Sequence, residues 1–292
     1  MNPEHLTFGI EIETIASRKS LDSGLQVGNY HSGLQVPYLP PGWKAERDGS
    51  IRVSPSHPVA CEIVSPILRG ITGLKTAIDI LKVLKEKGHK VNTTCGFHVH
   101  VGWGSDLPSD KLAALIGIVA YLQDGIYATT GTKARERGRF CKKIRQYGKD
   151  GAKLTMDRDR FHILNIKRLA DGFGTIEFRV FGGSLNPHKI AAWIQICLGI
   201  VERALTAKRL PKWEPTPPQG GWKSAGAGCS EVERLMAFLG WGVGAARNLG
   251  KTCGVLGQVA NAIPGQPIKP VYSVKRMMCE VRRLAKKYDS TP

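Results

Sequence analysis

Three short stretches carry ionisable side chains at two-residue spacing: FGIEIET at 8–14, CGFHVHVG at 95–102 and TIEFRVF at 175–181. Residues two apart in a strand share a face. Glu11 and Glu13 then oppose Phe8, Ile10 and Ile12; His98 and His100 oppose Phe97, Val99 and Val101; Glu177 and Arg179 oppose Ile176, Phe178 and Val180. Two glutamates on one half-buried face repel each other and call for cations between them. Carboxylates joined by an imidazole suit Mg²⁺ or Mn²⁺. An arginine beside a metal-binding carboxylate suits phosphoryl oxygens, which its planar fork matches. Taken singly, the Glu pair reads as a solvated strand edge and Glu-x-Arg as a cross-strand ion pair. Taken together, on strands with the same apolar counterface, they point to metal-assisted phosphoryl transfer.

Further candidates are less sharply marked. Glu62, in ACEIVSP, has no local partner and would serve as another metal carboxylate. Asp48, in RDGS, has turn chemistry as its plain reading. Cys95 precedes the histidine pair, but no second cysteine stands at zinc-finger spacing. The chain contains neither a GxSxG nucleophile elbow nor a GxxxxGK[ST] phosphate loop. If ATP is used, metals and cationic side chains must hold its phosphates.

The elements that would position these groups follow from periodicity. Strands are expected over Leu6 to Thr14, a hairpin over Trp43 to Ser54 around Asp48-Gly49, and strands at Ala60–Val64, Val91–Val101, Phe161–Ile166 and Thr175–Phe181. Residues 17–42 read as a long loop. Helical spacing marks 73–87, a stretch from Ser109 to about Thr130, and one from Asn186-Pro187 to about Lys208. This order argues for an α+β fold rather than a doubly wound parallel sheet. Three regions are expected: a catalytic domain over 1–208, a Pro/Gly-rich linker over 209–228, and a basic helical segment over 229–292.

The chain has 292 residues and a formal charge of +18, while its apolar content of 42% is ordinary for a soluble protein. No apolar run of bilayer-spanning length and no secretory signal are read, so no membrane partner is expected. Scattered cysteines fit a cytoplasmic setting, bacterial or, for a phage protein, that of the host. The charge admits nucleic acid as a partner, although aromatic residues are only 7% and no nucleic-acid-binding motif is present. Residues 131–153 hold nine Lys or Arg, among them Arg135, Arg137, Arg139, Lys142, Lys143 and Arg145, and read equally well as a solvated loop or as a substrate border.

The ordered set FGIEIET, DGSI, EIVSP, GFHVHVG, RERGRFC and TIEFRVFGGSLNP resembles the amidoligase family of phages and bacteria, which is related to glutamine synthetase and glutamate–cysteine ligase. The resemblance covers roughly residues 6–205. It implies a glutamine-synthetase-like curved antiparallel sheet with helices on its convex side and the site in the concave face. It implies Glu11, Glu13, Glu62, His98 and Glu177 as metal ligands, and Arg179 and His100 beside the transferred phosphate. Arg139 and Lys167, with Arg168, would border the nucleotide or substrate. The implied activity is ATP- and Mg²⁺-dependent joining of a carboxylate to an amine through an acyl phosphate, with Asp48 or Glu62 as candidate bases. The alternatives are a metal-dependent hydrolase on the same Glu/His site and a basic nucleic-acid-binding protein.

Overall fold

In a computed structural model, described for residues 6–104, 107–144, 160–206, 227–241 and 274–291, the FGIEIET stretch forms the central strand β1 (Thr7–Ala16). Its apolar side is fully sequestered: Phe8, Ile10 and Ile12 are at most 2% exposed. Chain order continues through α1 (Arg18–Asp22), β2 (Leu34–Gln35), β3 (Lys44–Glu46), β4 (Val59–Val64), β5 (Leu68–Arg69), α2 (Gly70–Glu86), β6 (His89–Lys90), β7 (Gly96–Gly102) and α3 (Ser109–Ala128). It ends with β8 (Leu164–Asn165), α4 (Lys167–Ala170), β9 (Thr175–Gly182), α5 (Pro187–Thr206), α6 (Ala227–Phe238) and α7 (Val274–Asp289). The nine strands form one sheet in the order β2-β3-β4-β1-β7-β9-β8, with β5 and β6 pairing the two ends of β1. Every pairing of these strands is antiparallel. The fold is therefore α+β.

Helices cover the apolar face. Leu74, Leu81 and Leu84 of α2 and Trp193 of α5 join Phe97, Val99 and Phe178 in one core. Trp193 stacks on Phe181 with centroids 4.9 Å apart, and its indole N–H donates to the Thr129 carbonyl at 3.0 Å. Burial of one such side chain stabilises the fold by roughly 1.5–3 kcal/mol, and the paired indole leaves no unmet polar group there. Asn186 caps α5 by accepting from the His188 and Lys189 amides at 2.9 and 3.3 Å.

Three departures from the periodic reading have local causes. Of the hairpin expected over Trp43 to Ser54, the first strand forms as β3 and the turn forms at Asp48, whose Oδ1 accepts the Ser50 amide at 2.7 Å. In place of a return strand, β3 pairs with β2 and β4. The strand expected over Val91–Val101 starts only at Gly96, as β7, and β6 ends before it at Lys90. Between them Asn92 Oδ1 accepts the Thr94 amide at 2.9 Å, in competition with ladder bonding. On β9, Arg179 and Val180 both lie opposite His98, because Phe97 pairs with Phe181 while Val99 pairs with Phe178. This bulge returns Phe181 to the apolar side, where Trp193 receives it. The strand expected over Phe161–Ile166 is confined to Leu164–Asn165, and the 17–42 loop contains α1 and β2.

Of the segment 209–228, only residues 227 and 228 lie among those described, and they open α6. Helix α6 packs on α3 so closely that a Cβ at Gly125 would fall 2.5 Å from the Glu231 carbonyl oxygen. Arg282 of α7 holds Glu233 of α6 with two bonds of 2.6 and 2.9 Å. Helix α3 corrects the reading of apolar runs. It is long and apolar enough to cross a membrane, but 61% of that stretch is buried inside the protein.

One buried polar group ties the fold to pH. His89 is 2% exposed, with Nδ1 3.0 Å from Thr14 Oγ1 and Nε2 2.6 Å from the Tyr38 hydroxyl. Burial, helped by the charge of His57, pushes its pKa down to about 4 from the ordinary 6.5. The unfolded chain therefore binds a proton first on acidification. His89 costs no stability above pH 6.5 and progressively more as the pH falls toward 4, about 3 kcal/mol in all. Denaturant unfolding of the parent and His89→Gln at pH 7, 5.5 and 4 is expected to show a shallower acid loss in the variant. Identical slopes would remove His89 from the account.

Candidate metal and phosphate site

The strand register assembles the polar face. Glu46 of β3 pairs with Glu62 of β4, and Glu62 pairs with Glu13 of β1, giving three carboxylates in a row across the sheet. Beside that row, Glu11 of β1 pairs with His98 of β7, and His100 of β7 pairs with Glu177 of β9. Asn165 of β8 pairs with Glu177 on its other side. Alternation places all of these opposite the core, so the pattern that buries the apolar face also gathers the acids.

Four carboxylates surround one imidazole. His98 Nδ1 lies 3.1 Å from Glu11 Oε2, 3.4 Å from Glu177 Oε1 and 3.8 Å from Glu62 Oε1, while Nε2 lies 3.5 Å from Glu13 Oε1. His100 Nε2 sits 3.0 Å from Glu11 Oε1, but out of hydrogen-bond alignment. Other contacts fix the acids. The Gly96 amide donates to Glu13 Oε2 at 2.6 Å, and Asn165 Nδ2 donates to Glu177 Oε2 at 2.7 Å. A Cβ at Gly96 would lie 2.9 Å from His98 Nε2 and 3.0 Å from Glu13 Oε1, so a larger residue would displace both. Arg179 pairs with Glu177. Arg135 donates to the backbone carbonyls of Arg179 and Val180 at 2.7 and 3.2 Å and so clamps the β9 bulge.

Burial and mutual charge divide the acids into two classes. Burial would raise Glu11, but the His100 charge, with His98, holds its carboxyl well below the usual range. Glu177 is likewise lowered, its burial outweighed by His100, His98 and Arg179. Glu62 goes the other way: burial, then the charges of Glu11, Glu13 and Asp48, push it well up. His100 is raised, since Glu11 and Glu177 outweigh its burial.

The donor set fits hard divalent cations. Three groupings bring ligand atoms within 4.8 Å of one another: Glu11 with Glu62 and His98, Glu13 with Asp48 and Glu62, and Glu11 with His100 and Glu177. Arg179 Nε is buried without a hydrogen-bond partner, as expected of a group that faces a ligand, while His100 Nε2, also without one, sits against Glu11. A cleft of about 1010 Å³ opens above them.

Among the residues singled out from sequence, Glu11, Glu13, Glu62, His98, Glu177 and Arg179 line this cleft. His100 lies beneath it, against Glu11. Asp48, Arg139 and Lys167 also line the cleft. Lys167 Nζ is held by Asp171 at 2.5 and 2.7 Å, and Arg139 lies over the Phe140 ring. Arg168 Nη2 lies 3.6 Å from Glu11 Oε1. The basic loop splits by role: Arg135 holds backbone, Lys143 pairs with Asp124 at 2.8 Å, and Arg145 lies outside the described residues. Cys95 packs with Ile15 and Ile51. Periodicity missed Glu46 and Asn165. Glu46 had a signal in the alternation of Trp43 and Ala45 with Lys44 and itself. Asn165 had none, because its value lies in pairing with Glu177.

Residues 4–153 and 147–201 match the family described as "Putative amidoligase enzyme". The chain belongs to the amidoligase family. Among solved structures, this amidoligase-family chain is similar to "GmaS/ADP complex-Conformation 1" at 13% identity and TM-score 0.41, with 83% of this chain and 67% of that one covered. It is similar to "Apo GmaS without ligand" at 14% identity and TM-score 0.41, covering 83% and 66%. A "novel glutamine synthase homolog" is similar at 13% identity and TM-score 0.43, covering 96% and 70%. The chain thus spans about two thirds of the length of these structures. No curated protein matches it.

Glu62 offers a direct test of the electrostatics. With a chelator at pH 8, Glu62→Gln is expected to melt about 2–4 °C above the parent, the shift roughly 1 kcal/mol of relieved repulsion gives. In millimolar Mn²⁺ the parent should gain stability and the variant should gain little. A variant that melts lower in chelator, or responds fully to Mn²⁺, would contradict the arrangement.

Proposed function

We propose that this amidoligase-family protein joins a carboxylate to an amine with consumption of ATP, by way of an acyl phosphate. The observation that carries the reading is the meeting of Arg179 and His98 with four carboxylates at the floor of one cleft, with His100 beneath them against Glu11. Acids alone would serve a metal-dependent hydrolase equally well. A buried arginine beside them, with Nε unpartnered, is better matched to a phosphoryl group.

Divalent cations bound by Glu11, Glu62 and His98, and by Glu13, Asp48 and Glu62, would offset the negative charge of a triphosphate and polarise it. The remaining work falls to the chain itself. A carboxylate oxygen of the substrate attacks the γ-phosphorus, and the bond to ADP breaks. Arg179 stays charged, because Glu177 and Glu11 outweigh its burial, and it can neutralise the equatorial oxygens during transfer. His100, also biased toward its charged form, stands ready to donate a hydrogen bond to the same group. The amine nitrogen then attacks the acyl carbon, phosphate departs with the original carboxylate oxygen, and an amide remains. The amine must shed a proton to a base, a role open to Asp48 or Glu62 only where a cation does not hold that carboxylate.

Release of ADP with a panel of acids and amines tests the reading. It should require ATP, Mg²⁺ or Mn²⁺, and the acid. Hydroxylamine in place of the amine should trap a hydroxamate. Arg179→Ala is expected to lower kcat by roughly a hundred- to thousand-fold, and Glu11→Gln to raise the Mg²⁺ or Mn²⁺ concentration needed for half-maximal turnover. Amide cleavage without ATP would favour the hydrolase, and full turnover in both variants would remove the proposed site.

A further inference from the structure

We propose that the wall of the cleft beside the carboxylates binds single-stranded nucleic acid. Five side chains form a continuous strip there. The Arg139 guanidinium lies 4.8 Å over the Phe140 ring, and Phe140 meets Phe161 edge-on at 5.7 Å. Arg160 lies 5.3 Å over Phe161 and donates to the Tyr30 hydroxyl oxygen at 3.1 Å. A second assembly stands in the same cleft, with Arg168 5.1 Å over Phe173. The strip is anchored to the acidic row, since the amide of His31, next to Tyr30, donates to Glu46 Oε2 at 2.9 Å.

Its rings are not spent on the core. Tyr30 is 51% exposed, Phe140 38% and Phe173 61%, half of the six exposed large apolar side chains among the described residues. Exposed rings gathered in one cleft mark a recognition surface. A ring with an arginine against it keeps another surface for a base, and the guanidinium can pair with phosphate as well. Alternation of cations with aromatic faces is what an unpaired strand uses, because its bases are free to stack. A duplex hides its bases. An acidic peptide would satisfy the arginines and leave the rings idle. One nucleotide has one base, whereas three exposed rings on two assemblies suit a polymer. The chain's charge of +18 would draw such a polyanion in. The low overall aromatic content, which counts against nucleic acid in the sequence, is offset by this concentration. The binding does not depend on the ligase reading, and it is measured without ATP or metal so that either can fail alone.

The test is fluorescence anisotropy of the full chain with a labelled single strand of about 12 nucleotides, as DNA and as RNA. Binding should weaken with salt at a log–log slope of about −2, corresponding to about three phosphates. Phe140→Ala, Phe173→Ala and Arg160→Gln should each weaken it by roughly ten-fold. Arg283→Gln, which removes an exposed charge on α7 away from the cleft, should leave it unchanged. The proposal is overturned if the strand does not bind, if polyglutamate or a duplex competes as well as unlabelled strand, or if the aromatic variants bind like the parent.

Discussion

Glu11, Glu13, Glu62 and Glu177 each reach within 3.8 Å of the His98 ring, and each is largely withdrawn from water. Two carboxylates under 5 Å apart repel by about 3 kcal/mol at an effective dielectric near 20. Several such pairs on one face oppose folding. The other face of the same strands must outweigh them, and Phe8, Ile10, Ile12, Phe97, Val99 and Phe178 are accordingly buried almost without remainder. The helical layer is thus the condition for the acids to be there at all. Strand pairing then turns a liability into a device, because backbone hydrogen bonds hold like charges at fixed spacing where free side chains would part.

The protein offsets this charge incompletely from its own stock. Arg179 balances Glu177, Arg168 approaches Glu11, and the Gly96 amide supports Glu13. Glu62 receives no comparable partner and responds by holding its proton more tightly. That imbalance is a physical reason to expect cations from solution.

What could be read from the sequence was whatever two-residue alternation encodes. It marks the strands, their buried sides, and the Glu, His and Arg side chains that share the opposite side. It could not mark partners chosen by register: Glu46, Glu62 and Glu13 become one row only through pairing of β3, β4 and β1, strands distant in sequence. It read the Asp48 turn but expected a return strand after it, and it missed Asn92, whose side chain competes with the backbone ladder. The cleft wall was the least legible part. Tyr30 and Arg160 are 130 residues apart, and nothing periodic joins them.

The irregularity in β9 divides that strand into two halves with separate duties. Before it and at its start, Glu177 and Arg179 face the cleft; after it, Phe181 locks onto Trp193. Arg135 grips the junction through main-chain oxygens, which every amino acid supplies. Side chains on the reactive half can therefore be exchanged without loosening the aromatic stack. Evolution could retune what the cleft accepts while inheriting the scaffold unaltered.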